Sequence, residues 1–434
     1  MAWADRGAGR VTRPDRRWVL AAGAGLAVAT ITAGATHVWG PGVPRLHTAP
    51  DWYAAHLTNR GARAELDLLN QEWLVSGSVP GRGTDIEDMV RSALLDLRRL
   101  TAPSGALAAG AGMKWNYSWP RDAAFGALAL ACAGHLEEAA AALRFFAPLQ
   151  LPGGGLESRY LLDGSGVPDA RPAQSDGPGW VLWALGSLTA IGLGRLLEAQ
   201  PSLAVDLRRL ATGCLDHLLT STSAGTTLPV VTADFWEVEQ SRASLGLVAP
   251  MLAGLRGAAT FFTTLDDPGR AARAASAAAT FEPVILSHFG PTFQRHGDRG
   301  GRDAGTAMLM PPFTDEQPAV LEAWLGYQQG AARASGGLAP GTDWWQHGES
   351  WTPQTALVAF NAASSGRAPL AKQWLTWLDS IRTPWGSLPE KVLNDGAPAG
   401  PAPLAWTAAL VVLAAYELDR DRQIRTDSVA NWVR

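Results

Sequence analysis

Cysteine is almost absent from this 434-residue chain, with two in all. No framework of disulfides can therefore hold it together, and its length lets it bury a large core without one. One bridge between Cys132 and Cys214, or two buried free thiols, are both open at this point, since each lies in an Ala- and Leu-rich helical pattern. No Cys/His grouping has zinc-ligand spacing and the eight histidines are scattered, so no metal is expected. Charge is scarce too, at 18% of residues with a formal net charge of −4. That leaves no cationic excess to displace counterions from phosphates, which argues against a nucleic-acid partner. Hydrophobic residues reach 47%, too many for a disordered chain. What is abundant is tryptophan: 19 residues, more than the 11 Phe and 5 Tyr combined.

From Trp18 to Pro44 there is no Asp, Glu, Lys or Arg, and Arg6, Arg10, Arg13, Arg16 and Arg17 stand in front of that stretch. A basic flank before an apolar run long enough to cross a bilayer core of ~30 Å is the layout of a signal peptide or membrane anchor. The Arg16-Arg17 pair with Leu20 adds a twin-arginine hint. A buried core helix is the other reading; the terminal position and the uncharged GPGVP exit weigh against it. Residues 1–44 are expected to export the chain, leaving it extracellular or membrane-anchored facing outside, with membrane contact through this segment if it is uncleaved. Residues 45–434 are expected to form one domain.

Beyond residue 45 the apolar period is helical, broken by Gly/Pro-rich loops. The pattern predicts helices near 62–77, 84–101, 121–133, 135–147, 177–198, 202–220, 240–262, 267–288, 315–334, 353–364, 368–380 and 404–418, while TTLPVV alone reads as strand-like. Twelve helices separated by alternately short and long connections fit an all-α ring of six helical hairpins, although no repeat is visible in the residues. An irregular α-bundle is the alternative. In a ring the long loops gather at one rim, where sites are usually built.

Three of those loops mix aromatic and polar residues. KWNYSWPRD holds Trp115, Tyr117, Trp119, Arg121 and Asp122. Arg beside Asp at a helix start is compatible with a simple ion pair and cap. It also suits a sugar, whose hydroxyls take guanidinium donors and carboxylate acceptors while its apolar face rests on a ring. TADFWEVEQ holds Asp234, Trp236 and Glu237, and WGSLPEKV holds Trp385, Glu390 and Lys391. A Glu desolvated by Trp can have a raised pKa, and one protonated plus one ionised carboxyl is what glycosidic cleavage requires. Either Glu alone is equally compatible with a solvated loop.

LRRLTAPSGALAAGAGMKWNYSWPRDAAF resembles the opening of the catalytic domain in glucoamylase-type glycoside hydrolases of family 15. PAQSDGPGWVLWAL, DFWEVE, DAGTAMLMPP and GSLPEKV with PAPLAWTAALVVLAAYEL resemble later segments of that family, in its order, across roughly residues 60–420. The resemblance implies an (α/α)6 barrel of the six-hairpin glycosidase type and an anomer-inverting, exo-acting hydrolase that needs no cofactor. It implies Glu237 as general acid and Glu390 as general base. Arg121 and Asp122 would grip the terminal sugar. Trp115, Tyr117, Trp119 and Trp236 would wall the pocket, with Gln174 and Asp176 as polar lining. Trp345, Glu349 and Trp351 of TDWWQHGESW are weaker wall candidates.

The sequence departs from the family at Val238, where fungal members carry a second Glu, and at Lys391, where Gln is usual. Short α-1,4- or α-1,6-glucosides are therefore expected as the oligosaccharide substrate rather than long starch chains. The alternatives are a trehalase-like or other envelope-glycan hydrolase, and a non-catalytic sugar-binding envelope protein.

Overall fold

The computed structural model describes residues 46–48 and 60–432, apart from 113 and 347. The expected export segment, 1–44, lies outside the described residues. The elements, in order, are β1 (Leu46–Thr48), α1 (Arg60–Ser76), α2 (Glu87–Leu100), α3 (Pro120–Cys132), α4 (Leu136–Arg144), α5 (Gly177–Thr189), α6 (Leu193–Ala199), α7 (Pro201–Ser221), α8 (Leu245–Thr264), α9 (Pro268–Phe289), α10 (Pro318–Ala331), β2 (Ser350–Trp351), α11 (Thr352–Ser364), α12 (Ala368–Ser380), β3 (Lys391–Val392), β4 (Pro398–Ala402) and α13 (Ala405–Trp432). Two 3-10 turns, Ala147–Leu149 and Ala304–Leu309, complete the set.

Proline marks many of the helix starts. Pro120, Pro201, Pro268 and Pro318 each open a helix, where a missing N–H costs nothing and φ is already helical. Burial then divides the helices into two kinds. Every residue of α3 is buried, and α5, α8 and α11 are nearly as enclosed. By contrast α9 buries one stripe, Ala271, Ala274, Ala278, Phe281, Ile285 and Phe289, at helical spacing.

The enclosed elements pack in a circuit. α3 lies on α5, α5 on α8, α8 on the 304–309 turn, that turn on α11, α11 on α13, and α13 on α3 again. Outside it, α4 backs α3, α7 backs α5, α9 backs α8, α10 backs the 304–309 turn, α12 backs α11, and α2 backs α13. The four short strands form one sheet, ordered β1-β4-β3-β2. β1 runs parallel to β4 with Leu46 opposite Gly400, while Lys391 pairs antiparallel with both Trp351 and Ala399.

The observed elements correct the sequence reading in four places. The single helix expected over 177–198 is two helices meeting at 88°, with Gly192 at φ +112 supplying a left-handed turn that side chains disfavour. The sixth place in the circuit belongs to the 304–309 turn, which was read as loop; six residues are too few to show a period. Helix α1, which was counted among the twelve, packs on α2 and is not one of the six elements of the circuit. TTLPVV forms no strand. Cys132 and Cys214 are separate buried thiols, each pushed up to about 12 by desolvation, so no bridge joins them.

Candidate active site

Each inner element begins beside a polar residue. Arg121 and Asp122 sit in the first turn of α3, and Asp176 is the N-cap of α5. Ser244 caps α8, Asp303 caps the 304–309 turn, and Trp351 precedes α11. Glu390 stands at the start of β3, in the segment leading to α13. Helix N-termini carry unpaired N–H groups and partial positive charge, which favours carboxylates at this end.

The first loop reaches both glutamates. Trp115 Nε1 donates to Glu390 Oε1 at 3.0 Å, and Trp119 Nε1 donates to Glu237 Oε1 at 3.1 Å. Two indoles four positions apart thus hold carboxyls that are 153 positions apart in the chain. Glu237 Oε1 also accepts from Gln174 Nε2 at 3.3 Å, and its Oε2 from Arg171 Nη1 at 3.2 Å. Its backbone has φ +56, unusual for a residue with a side chain and worth about 1–3 kcal/mol of strain.

That strained turn is fastened from beneath. Asp234 Oδ1 accepts from the Trp236 amide at 2.9 Å, and its carbonyl from the Glu237 amide at 2.8 Å. Arg295 then bridges Asp234 (2.6 Å) and Asp303 (2.7 Å), with all three side chains buried. Its guanidinium lies 3.7 Å from the Trp236 ring centroid. Burial raises the Asp303 carboxyl to about 6 against the opposing pull of Arg295.

Glu390 is buried, and its Oε2 has no hydrogen-bond partner among the described residues. Desolvation raises its pKa to about 7; Lys391 and the Trp115 N–H oppose the rise, while Glu237 and Glu349 add to it. Nearby, Arg121 Nη1 donates to Gln174 Oε1 at 2.9 Å and Asp176 Oδ2 at 3.1 Å. Arg121 also lies 3.6 Å from Asp122, which burial raises to about 6, and 5.0 Å over the Trp406 ring. Arg121 Nε, itself buried, makes no hydrogen bond among the described residues and is the atom that faces Asp122.

The aromatic candidates fall into two groups. Trp236, Trp344, Trp345 and Trp351 form one cluster, with Trp344 and Trp345 stacked at 4.1 Å and Trp345 52% exposed. Glu349 and Trp351 are taken up by Lys391, paired to the first at 3.2 Å and 4.2 Å over the second. Tyr117 and Trp119 form the other group, 6.2 Å apart. Trp119 is only 3% exposed, because Arg171 lies 4.9 Å over its ring and Arg159 5.8 Å. Trp385 lies away from both groups, in a turn whose next residue, Gly386, packs against Ser92 on α2. Arg171, Arg295, Asp303 and Trp406 were not foreseen from sequence. Nothing distinguishes a lone Arg in a polar loop until the partners are brought to it.

Two clefts of about 450 and 540 Å³ exist elsewhere, lined by residues such as Trp183 and Arg256, or Gln150 and Arg208. None of the residues above lines either, and carboxyl chemistry points to the loop site.

No protein-family model and no curated protein matches the chain. Solved structures do match it. A glycosidase, known as the wild type and as single-residue variants including one in complex with glucose, superposes with a TM-score of 0.65. It is 19% identical over 76% of this chain and 96% of its own. Glucoamylase from Saccharomycopsis fibuligera gives 0.62 at 16% identity, over 77% of this chain and 94% of that one. A bacterial glucoamylase complexed with acarbose gives 0.61 at 16% identity, over 76% of this chain and 55% of that one. The chain therefore has an all-α, glucoamylase-like fold.

Proposed function

We propose that this chain is an exo-acting, anomer-inverting glycoside hydrolase on an (α/α)6 barrel, releasing glucose from the non-reducing end of short α-1,4- or α-1,6-glucosides. The observation that carries this reading is the pairing of Glu237 and Glu390 with the two indoles of one loop, beside the buried Arg121–Asp122–Asp176 group. Glu237 donates its proton to the glycosidic oxygen as the C1–O bond breaks. Glu390 takes a proton from the water that attacks C1 from the opposite face, and the product is β-glucose. Solvent then resets both protons. Residues 1–44 are proposed to export the chain.

The raised pKa of Glu390 favours a second reading in which the roles are exchanged and Glu390 is the proton donor. The two make opposite pH predictions. A base at Glu390 must be ionised, so activity is lost as pH falls through about 7. An acid at Glu390 must be protonated, so activity is lost as pH rises through the same value.

The test is hydrolysis of isomaltose, maltose, trehalose and panose by the wild type, Glu237→Gln and Glu390→Gln, with the product anomer followed by NMR. Both variants are expected to lose at least about 10²-fold in kcat on these sugars. On α-glucosyl fluoride, whose leaving group needs no proton, only the variant lacking the acid keeps its rate. Near-normal turnover of the disaccharides by either variant, or an α-anomer product, refutes the inverting pair. Sugar binding without hydrolysis points instead to a non-catalytic binding protein.

A further inference from the structure

Arg171, which the sequence did not single out, bonds the Glu237 carboxylate directly. Its Nη1 bonds Glu237 Oε2 at 3.2 Å, its Nη2 bonds the Lys114 carbonyl at 3.1 Å, and its Nε bonds Asp169. The guanidinium carbon stands 4.9 Å from the centroid of the Trp119 ring and 5.9 Å from that of Tyr117. Arg159, fully buried, holds Asp169 from the other side and so fixes the anchor. Glu237 Oε1 is already taken by Trp119 and Gln174, leaving Oε2 as the oxygen that a glycosidic bond can approach. Arg171 occupies that oxygen and lies against the Trp119 ring at once.

We propose that Arg171, in contact with both the Glu237 carboxylate and the Trp119 ring, stands where a pyranose would lie, so that a sugar must displace it to bind. This rests on the reading of the site as a glycosidase pocket. The side chain is suited to such exchange. It is 25% exposed, and its contacts are to an exposed Asp, one carbonyl and the carboxylate that the ligand itself would engage. A planar guanidinium also covers a ring and its neighbouring acceptor as a sugar face does, which a lysine ammonium cannot. Apparent affinity then equals the intrinsic affinity reduced by the fraction of molecules with Arg171 swung away. A site filled nine-tenths of the time binds about tenfold more weakly than an open one.

The experiment is calorimetric titration of the full chain with glucose, for wild type, Arg171→Ala and Arg171→Lys, alongside KM and kcat on isomaltose and maltose. Arg171→Ala is expected to bind glucose roughly five- to tenfold more tightly and to show a lower KM. Arg171→Lys, keeping charge but not the planar stack, falls between. If the alanine variant fails to fold by circular dichroism, the lysine variant decides with the same sign. Equal or weaker glucose binding in variants that still hydrolyse α-glucosides overturns the displacement proposal and leaves the glycosidase reading standing. If no form binds glucose or cleaves any α-glucoside, the glycosidase reading falls and takes this proposal with it.

Discussion

Glu390, the proposed base, illustrates how a carboxyl proposed for chemistry can be held at the expense of the fold. Its pKa is raised to about 7 by burial, with one oxygen bonded to Trp115 and the other without a hydrogen-bond partner among the described residues. The unfolded chain releases this proton near 4.5, so between that value and 7 the folded state holds more protons than the unfolded one. Stability contributed by the protonated form is thus present at low pH and lost as pH rises through 7. The full loss is on the order of 3 kcal/mol. Glu390→Gln keeps the shape without a titrating proton, so it is expected to melt higher than the wild type at pH 8 and alike at pH 4. Calorimetric melting at both pH values checks this, and a variant less stable at pH 8 contradicts it. Both glutamates, and Arg121–Asp122 after a helix-opening Pro120, were legible as candidates because each lies in a polar patch among aromatics. Their pairing was not legible. Trp115 meets Glu390 across 275 positions, and only closure of the helical circuit sets such a contact.

At the scale of elements, the α5–α8 contact is made by glycines. A Cβ on Gly179 would lie 2.4 Å from the Pro250 carbonyl oxygen, and one on Gly257 would lie 2.4 Å from that of Leu182. A Cβ on Gly186 would meet the Gly257 carbonyl oxygen at 2.4 Å. The obstacles are backbone atoms of the facing helix, which cannot turn aside as a side chain can. Ala at these sites gains about 1 kcal/mol of helix propensity over Gly. Forcing a methyl into a packed backbone contact costs about 1–3 kcal/mol, and the contact wins. Gly257→Ala is therefore expected to lower the urea midpoint with unchanged slope, whereas Ala at Gly269, whose Cβ would have only Asp267 Oδ1 near it at 3.9 Å, meets no such contact. A Gly257→Ala midpoint at or above wild type refutes the close approach. In sequence these glycines lie inside the helices expected over 177–198 and 240–262, and the first of those ran straight through the bend at Gly192. Periodicity reports which face is apolar, not how near another backbone comes.

At the scale of the molecule, the scarcity of charge and the wealth of alanine have one cause. Six inner elements, largely surrounded by others, have little solvent face on which to place a charge, and α13 closes the circuit between α3 and α11 with Ala405, Ala408, Ala409, Ala414 and Ala415 all inaccessible. Small side chains let a helix approach neighbours on every side, so the closing helix tolerates added volume least. Ala408→Leu is expected to destabilise by about 1–3 kcal/mol through overpacking. Because the inner elements support one another in a closed path, the loss should be shared by all of them rather than confined to α13. Unfolding followed by far-ultraviolet circular dichroism and by tryptophan fluorescence should therefore shift together and stay coincident. The buried Trp180, Trp183 and Trp324 report the interior while the backbone signal reports every helix. If the two signals separate in the variant, α13 detaches by itself, and the circuit of packed helices is not the cooperative unit of this fold.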